Sequence, residues 1–349
     1  MTGDDLVIIA PEAVRGSGGL ADYTLRLLEN LPGGENLRVL VPSEHAPQVP
    51  QSAGKILVQY SAYGFDALGY PRDLIQALID WKNKTPGRLV VMFHEIWTFW
   101  PVTNKNFFVQ LFHRRAIKRL LRHIDFAFTS TSSQAEHLHA LCANTPIHVL
   151  PVGSNIRRSV DVDLPRKSGW AVIFGLPGSR LRALRKMQNS LSSLAAAKVI
   201  TKMISVGAGF DFESKEEERR LLTSLQLADG FQQLGAQSES AISKILAKVS
   251  LGVFGQDELS YAKSGTFMAY AAHALNILAD FAEPSKPAPI CWLVAPRELL
   301  EGISPVELKT RARGLRDWQE KTSSWKLIGT KFSEALELNA NERAQIASR

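Results

Sequence analysis

Short apolar runs of strand length alternate with segments of helical periodicity through the first 150 residues. An apolar run at 5–10 precedes a glycine-rich stretch at 16–19, and apolar positions then recur every three or four residues from 20 to 31. Further strands are predicted at 37–42, 55–60, 88–93, 125–130 and 148–153, and helices at 71–81, 113–123 and 132–141. This alternation is typical of a doubly wound parallel sheet.

A second alternation of the same kind follows a polar stretch at 154–169, which has no clear period and is interpreted as a linker. Strands are predicted at 170–175, 203–207, 231–235, 251–255, 276–279 and 290–294, and helices at 180–186, 214–225, 238–248, 263–275, 305–321 and 325–338. We therefore predict an α/β protein with two Rossmann-like domains, 1–160 and 161–325. A C-terminal helix at 326–349 is expected to cross back to the first domain.

Two features at predicted strand ends suggest a ligand site in the first half. Gly16, Gly18 and Gly19 allow positive φ and close approach of backbone N–H groups, and the helix that follows favours negative charge. A plain strand-to-helix turn has the same appearance and remains an alternative. His94 and Glu95 follow a buried strand, where open α/β sheets collect their ligands. A partly buried, structural histidine is the alternative there.

The composition excludes several classes of protein. The 349 residues are 45% hydrophobic, which suffices for a large core, but no apolar run reaches the roughly 18 residues of a spanning helix. The acidic N-terminus does not resemble a secretory signal, and Cys142 and Cys291 are too few for a disulfide framework or a zinc cluster. We therefore expect a cytoplasmic protein. Its formal net charge of +7 suggests an anionic partner.

With both halves placed, the pattern resembles the GT-B-fold glycosyltransferases, in particular the retaining nucleotide-sugar transferases. Gly18 and Gly19, followed by the segment 22–24, resemble the family's early glycine loop. His94 matches a strand-end histidine near the donor sugar. The segments 126–132 and 149–153, the latter followed by Asn155, have counterparts in the same family. The resemblance implies two Rossmann-like domains facing across a cleft, with the acceptor on the first domain and the nucleotide on the second.

The second half matches the family less closely. Gly175 is present at the end of a strand, but the arginine and lysine that reach the diphosphate have only approximate counterparts, among them Arg180 and Lys186. The family's two glutamates fall at Tyr261 and Ala269, so both carboxylates are missing, and Glu258 lies three residues early.

A basic, hydroxyl-rich helix start stands in their place: Lys263, Ser264, Gly265 and Thr266. These groups suit a diphosphate, although a helix cap beside a surface lysine gives the same pattern.

The function implied by the resemblance is transfer of a sugar from a nucleotide-diphosphate donor to an acceptor hydroxyl. The nucleotide sugar is a substrate, so no cofactor is expected. His94 and Glu95 are the predicted catalytic residues; Gly18, Gly19, Arg180, Lys186, Lys263, Ser264, Gly265 and Thr266 are the predicted donor-binding residues. Metal independence is expected, because Asp161 and Asp163 lie in a polar connector rather than at a strand end. A nucleotide-sugar epimerase and a catalytically weak binding partner remain alternatives.

The stretch 97–123 joins aromatic residues to a basic amphipathic helix. Such a helix can lie on an anionic membrane surface, which would suit a lipid-linked acceptor. An ordinary helix with solvated arginines is the alternative. No nucleic-acid-binding signature accompanies the basic residues, so a nucleic-acid partner is not expected.

Overall fold

The computed structural model describes residues 6–11, 18–31, 38–41, 49–97, 103, 107–159, 165–207, 209 and 211–337. The chain divides into two compact units. Unit 1 comprises 1–152 and 325–349, and unit 2 comprises 153–324. The sequence-based boundaries were placed at 160 and 325. Gly16, Asp161 and Asp163 fall outside the described residues.

Unit 1 is built on a parallel sheet of six strands in the order β2-β1-β3-β4-β5-β6. The strands are β1 Leu6–Ile9, β2 Arg38–Leu40, β3 Lys55–Ser61, β4 Arg88–Glu95, β5 Phe126–Thr129 and β6 Ile147–Val149. The helices are α1 Gly19–Asn30, α2 Ala62–Phe65, α3 Arg72–Lys84, α4 Phe107–Leu121 and α5 Ser132–Leu141, with α12 Trp325–Glu337 from the end of the chain. The central strands are apolar and buried on both faces, as parallel strands between helices must be.

The C-terminal helix α12 is part of unit 1. Its Phe332 is fully buried and lies against Phe128 of β5, with ring centroids 4.5 Å apart. Arg88, at the start of β4, donates a hydrogen bond of 3.0 Å to the carbonyl oxygen of Ala335. The helix therefore covers apolar surface of the first sheet.

Unit 2 contains a second parallel sheet, in the order β11-β10-β7-β8-β9. The strands are β7 Lys167–Phe174, β8 Lys202–Val206, β9 Phe231–Gln233, β10 Val249–Val253 and β11 Asn276–Leu278. The helices are α6 Pro177–Ala196, α7 Phe212–Ser224, α8 Glu239–Lys248, α9 Gly265–Ala272, α10 Pro296–Glu301 and α11 Pro305–Ser323, with 3₁₀ turns at Glu258–Lys263 and Ile290–Trp292.

Two local predictions are wrong. The apolar run at 290–294 is not a strand: it forms a 3₁₀ turn and a single bridge between Leu278 and Val294. Pro289, which has no N–H for a ladder, directly precedes it. The acidic start and basic middle of the helix at 214–225 predict a solvated face, but its Glu218 is completely buried.

Candidate functional site

Two glycines allow the ends of β7 and β8 to approach each other closely. Gly175 has φ +134°, and a Cβ there would lie 3.0 Å from the hydroxyl of Thr266. Gly207 has φ +147°, and a Cβ there would collide with the carbonyl oxygen of Gly175. Because only glycine tolerates both the backbone angles and the close contacts, these residues define a narrow turn at the carboxyl edge of the sheet.

The start of α9 lies beside this turn. Its N-cap Ser264 accepts a hydrogen bond from the N–H of Phe267, and the Thr266 hydroxyl donates to the carbonyl oxygen of Phe174, the last residue of β7, at 3.3 Å. The first N–H groups of a helix have no intrahelical partner, so those of Gly265 and Thr266 are available to an anion. Lys263 is exposed directly before them. The structure thus brings the predicted residues 263–266 together with Gly175.

Asn155 is a site residue whose place sequence reasoning did not predict. Its side chain lies against the start of α9, so that a Cβ on Gly265 would approach it to 3.3 Å. Its Oδ1 is buried and has no hydrogen-bond partner. The only sequence signal was its position after the segment 149–153, which carries no chemistry by itself.

Arg180, predicted to bind the diphosphate, is buried inside unit 2. Its Nε lies 3.3 Å from Glu218 Oε2, and its Nη1 donates to the carbonyl oxygen of Gly175. Glu218 in turn accepts a hydrogen bond from Ser205 of β8. The guanidinium therefore supports the glycine turn from behind, and we do not carry Arg180 forward as a ligand of phosphate. The sequence showed only that Arg180 is a basic residue on a predicted helix, and it did not indicate that Glu218 is its buried partner.

Lys186 holds two acidic loops rather than facing an open site. Its Nζ lies 2.9 Å from Asp257 and 3.1 Å from Asp280, which follow β10 and β11. Burial lowers the pKa of Lys186, but hydrogen bonds to the two carboxylates outweigh it, and the pKa is raised. With its charge balanced by two acids, Lys186 contributes to the position of the loops more than to binding of an anion.

The positions of the missing glutamates carry no replacement acid. Tyr261 packs edge-on to Trp318 and lies beside the ring of Phe267, and Ala269 is completely buried in α9. Glu258 forms an ion pair of 2.6 Å with Lys286. In the described part of unit 2, the start of α9 therefore offers N–H groups, a hydroxyl and a lysine where the family pattern has carboxylates.

In unit 1, His94 lies at the end of β4 and is fixed by two glutamines. Its Nε2 lies 2.7 Å from Oε1 of Gln59, and Gln134 donates a hydrogen bond of 3.2 Å to its carbonyl oxygen. Tyr23 of α1 meets the imidazole edge-on, at 4.8 Å between ring centroids. Burial lowers the pKa of His94 to about 3, so the ring is neutral at physiological pH. Donation from Nε2 to Gln59 leaves Nδ1 as an acceptor.

The other predicted residues of unit 1 are more open. Gly18 is the N-cap of α1, and a Cβ at Gly18 or Gly19 would meet nothing within 4 Å. Glu95 is exposed and accepts a hydrogen bond of 3.5 Å from Ser61. The start of α1 therefore has open space for a ligand; residues 16 and 17 of the glycine-rich stretch lie outside the described residues.

Among the described residues, no group of three His, Cys, Asp or Glu side chains is arranged to hold a metal ion. The described helices include none that is both long and apolar enough to cross a bilayer.

Solved structures with the same fold are numerous. The chain is similar to sucrose-phosphate synthase from Thermosynechococcus elongatus, at 11% identity and a TM-score of 0.64, with 99% of this chain and 100% of that chain covered. It is also similar to WaaG, a glycosyltransferase involved in lipopolysaccharide biosynthesis, at 12% identity and a TM-score of 0.60, with coverage of 96% and 100%. The catalytic domain of starch synthase IV from Arabidopsis thaliana gives 9% identity and a TM-score of 0.57, with both chains fully covered.

No family model and no curated protein sequence matches the chain. At these identities the structural similarities establish the fold. The protein has the two-domain, Rossmann-like GT-B fold, as the sequence predicted.

Proposed function

We propose that the protein is a glycosyltransferase that moves a sugar from a nucleoside-diphosphate donor to an acceptor hydroxyl. The main support is the contact between Thr266 and the end of β7, which places the start of α9 beside the glycine turn of Gly175. A helix N-terminus, an exposed lysine and a tight glycine turn at the carboxyl edge of a parallel sheet form a suitable phosphate site. The GT-B fold, shared with glycosyltransferases, is consistent with this use.

The reaction builds negative charge on the leaving diphosphate. Groups already directed at this position stabilise the charge without reorganisation. We assign that role to the N–H groups of Gly265 and Thr266, the hydroxyl of Ser264 and the ammonium of Lys263. The neutral His94 is assigned to accept a hydrogen bond from a sugar or acceptor hydroxyl.

Because the groups at the start of α9 can take the place of a cation, we expect turnover to persist in excess chelator. Loss of turnover that magnesium or manganese restores would contradict this.

The test of the donor site is nucleoside-diphosphate binding measured by calorimetry. Lys263→Ala should weaken binding by about 1.5–3 kcal/mol if the lysine makes a charge-assisted contact. Lys309→Ala, an exposed lysine on α11, is the matched control and should leave affinity unchanged. Equal affinity in both variants would remove Lys263 from the site.

Turnover distinguishes the reaction from its alternatives. Release of free nucleotide only when an acceptor is present supports a transferase. Conversion of the nucleotide sugar to its epimer without an acceptor would identify an epimerase. Nucleotide binding without any turnover would favour a catalytically weak binding partner, which the missing carboxylates at Tyr261 and Ala269 make the strongest alternative.

We further propose that unit 1 works at an anionic membrane surface on the cytoplasmic side. Helix α4 carries one exposed stripe, which is apolar in its first turns and basic afterwards. Phe108 is 68% exposed and Phe112 56% exposed, while Arg115, Arg119 and Arg122 follow on the same stripe.

The apolar end of α4 continues into the loop after α2. Leu68 is 71% exposed, and its carbonyl oxygen is hydrogen-bonded to Nε2 of His113 at 2.7 Å. Trp97, in contrast, is buried against Arg114 and is not part of this surface. An apolar edge with basic residues behind it favours the interface of an anionic bilayer.

Vesicle co-sedimentation tests this surface at low and high salt. We expect binding to anionic vesicles that falls when Phe108 and Phe112 are changed to serine, and when Arg115 and Arg122 are changed to glutamate. Phe212→Ser, at an 80% exposed position of unit 2, is the apolar control. Equal sedimentation with neutral and anionic lipid, or equal loss in the control, would overturn the proposal.

A further inference from the structure

Three lysines surround one tryptophan at the amino-terminal edge of the second sheet. Trp170 of β7 lies opposite Lys202 of β8 in the strand register, and Lys167 lies opposite Val249, the residue after Lys248. The three lysines therefore come from the beginnings of β7 and β8 and the end of α8. We call Lys167, Trp170, Lys202 and Lys248 the lysine–tryptophan cluster.

An irregularity of β7 builds this arrangement. The ladder with β10 shifts register between Val249 and Leu251, where β7 advances from Lys167 to Ala171. Gly169, inside this segment, has φ +74°, which a residue with a side chain rarely adopts. In a regular strand, residues three apart point to opposite faces. The bulge therefore lets Lys167 lie over the same ring that Lys202 approaches.

The ammonium groups lie close together and have no acidic partner among the described residues. The Nζ atoms of Lys167, Lys202 and Lys248 lie 4.5, 4.4 and 5.2 Å from the centroid of the Trp170 ring. They are thus within about 10 Å of one another, which is comparable with the Debye length of about 8 Å at physiological salt, so some mutual repulsion remains. None of the three forms an ion pair with a carboxylate in the part of the chain that the structure describes. The ring quadrupole attracts each cation but does not neutralise it.

Arg166 adds a further positive charge behind the cluster. It donates hydrogen bonds to the carbonyl oxygens of Leu246 and Val249, next to Lys248. Burial, and then the charge of Arg158, lower the pKa of Arg166 to about 10, which leaves it protonated near neutral pH. Positive charge therefore gathers at this edge from β7, β8, the end of α8 and the residue before β7.

We propose that the lysine–tryptophan cluster is a binding site for a soluble, multivalent phosphate-type anion. A ligand with several negative oxygens can bridge the ammonium groups and remove their mutual repulsion, which a monovalent anion cannot do for all three. The ring is already approached by ammonium groups, so stacking of a sugar on Trp170 is not the mode of binding.

The site is separate from the proposed donor site. Lys167 and Phe174 lie at opposite ends of β7, up to about 23 Å apart at the usual strand rise. One small ligand cannot reach both positions. The cluster therefore fits an effector or a stabilising ligand, and its existence does not depend on the proposed transfer reaction.

Calorimetry with tripolyphosphate tests the proposal. All titrations use the full chain with Lys263→Ala, so that binding at the proposed donor site does not dominate. We expect one binding event that becomes at least about tenfold weaker when Lys167, Lys202 and Lys248 are all changed to glutamine, because charge-assisted contacts are lost. Changing Lys215, Lys309 and Lys321 to glutamine removes the same charge elsewhere in unit 2 and should alter affinity less than about twofold, since a distant charge is screened.

Two further measurements keep the test decisive. Lys167→Gln alone, at an exposed position, should weaken binding even if the triple variant folds poorly. Binding should change tryptophan fluorescence, and Trp170→Phe should remove that change. Absence of binding, or equal weakening in the cluster and control variants, would overturn the proposal. So would cluster-dependent binding to vesicles that carry phosphoinositide headgroups with no binding of tripolyphosphate.

Discussion

His94 combines a fixed orientation with a neutral ring. Gln59 holds its side chain and Gln134 its backbone carbonyl, and burial keeps the proton off the ring near neutral pH. A neutral imidazole in this position can accept a hydrogen bond but cannot serve as a protonated acid. The side-chain amide of Gln59 is completely buried, and its Nε2 has no partner. This orphaned amide marks the end of β3 as a place where a ligand or water would improve the structure.

The depressed pKa of His94 predicts an acid-sensitive fold. An ordinary pKa of 6.5 in the unfolded chain and about 3 in the folded one mean that the unfolded state binds an extra proton between these values. His94 should therefore stabilise the fold above pH 6.5, and stability should fall as pH drops, by up to about 1.4 kcal/mol per unit. Urea unfolding of wild type and His94→Gln should show a shallower loss from pH 6.5 to 4 in the variant. Parallel profiles would mean that His94 does not titrate in this range.

Gly207 should be far less replaceable than another glycine of positive φ. A Cβ at Gly207 would collide with the carbonyl oxygen of Gly175, whereas one at Gly230, with φ +69°, would meet nothing within 4 Å. We expect Gly207→Ala to cost about 3 kcal/mol or more, and Gly230→Ala only about 1 kcal/mol from backbone strain. Comparison of urea midpoints tests this. Similar losses in both variants would show that the turn at the end of β7 can relax.

The sequence predicted the chemistry of individual residues better than their surroundings. The helix start at 263–266 was predicted, because a hydroxyl before a helix and a neighbouring lysine are local features. The burial of Arg180 was not predicted, since its partner Glu218 lies 38 residues away and only the packing of two helices brings them together. Gln59, and the position of Asn155 against the start of α9, were not predicted for the same reason.

At the scale of elements, helices α6 and α7 are joined by two ion pairs of different character. Arg180 and Glu218 form a fully buried pair, whereas Arg185 and Glu217 form a pair of 2.5 Å at the surface. The buried pair also connects the helices to Ser205 of β8 and to the carbonyl of Gly175. The position of the turn at Gly175 and Gly207 thus depends on the buried pair of Arg180 and Glu218.

Removing one partner from each ion pair should show how differently the two pairs contribute to stability. Glu218→Ala leaves a buried guanidinium without its carboxylate and should destabilise unit 2 by about 3–5 kcal/mol. Glu217→Ala, on the neighbouring position of the same helix, should cost less than about 1 kcal/mol because water screens the exposed pair. The measurement is unfolding in urea for both variants. A small loss for Glu218→Ala would return Arg180 to consideration as a ligand of phosphate.

Most elements were predicted because periodicity is a local signal. Helix α5 was predicted at its observed bounds, and the strands at 55–60 and 203–207 were shifted by one residue at most. The basic helix was predicted to begin at 113, but α4 begins at Phe107. The prediction missed the first turns because exposed aromatic residues there hide the amphipathic pattern. At 290–294, an apolar run alone could not show that a 3₁₀ turn forms after Pro289.

At the scale of the molecule, the chain does not divide at one point. Unit 2 is a continuous segment, whereas unit 1 needs α12 from the end of the chain. Phe332 and Ile328 of α12 are completely buried there, and Gly329 allows close approach to the backbone of Asn30 at the end of α1. Helical periodicity predicted α12 but did not specify where it docks, because both sheets offer apolar surfaces.

This unequal division leads to different expectations for the separate units. Residues 153–324 contain a whole sheet, its helices and the proposed phosphate site, so this segment should fold alone, unfold cooperatively and bind a nucleoside diphosphate. Residues 1–152 without α12 should be poorly folded, because β5 then exposes the surface that Phe332 covers. In the full chain, Phe332→Ala should already lower the free energy of unfolding by about 3–5 kcal/mol. Circular dichroism and calorimetry on both segments test this. A well-folded 1–152 would show that α12 is dispensable, and a folded 153–324 that binds no nucleotide would mean that the proposed donor site is incomplete within unit 2.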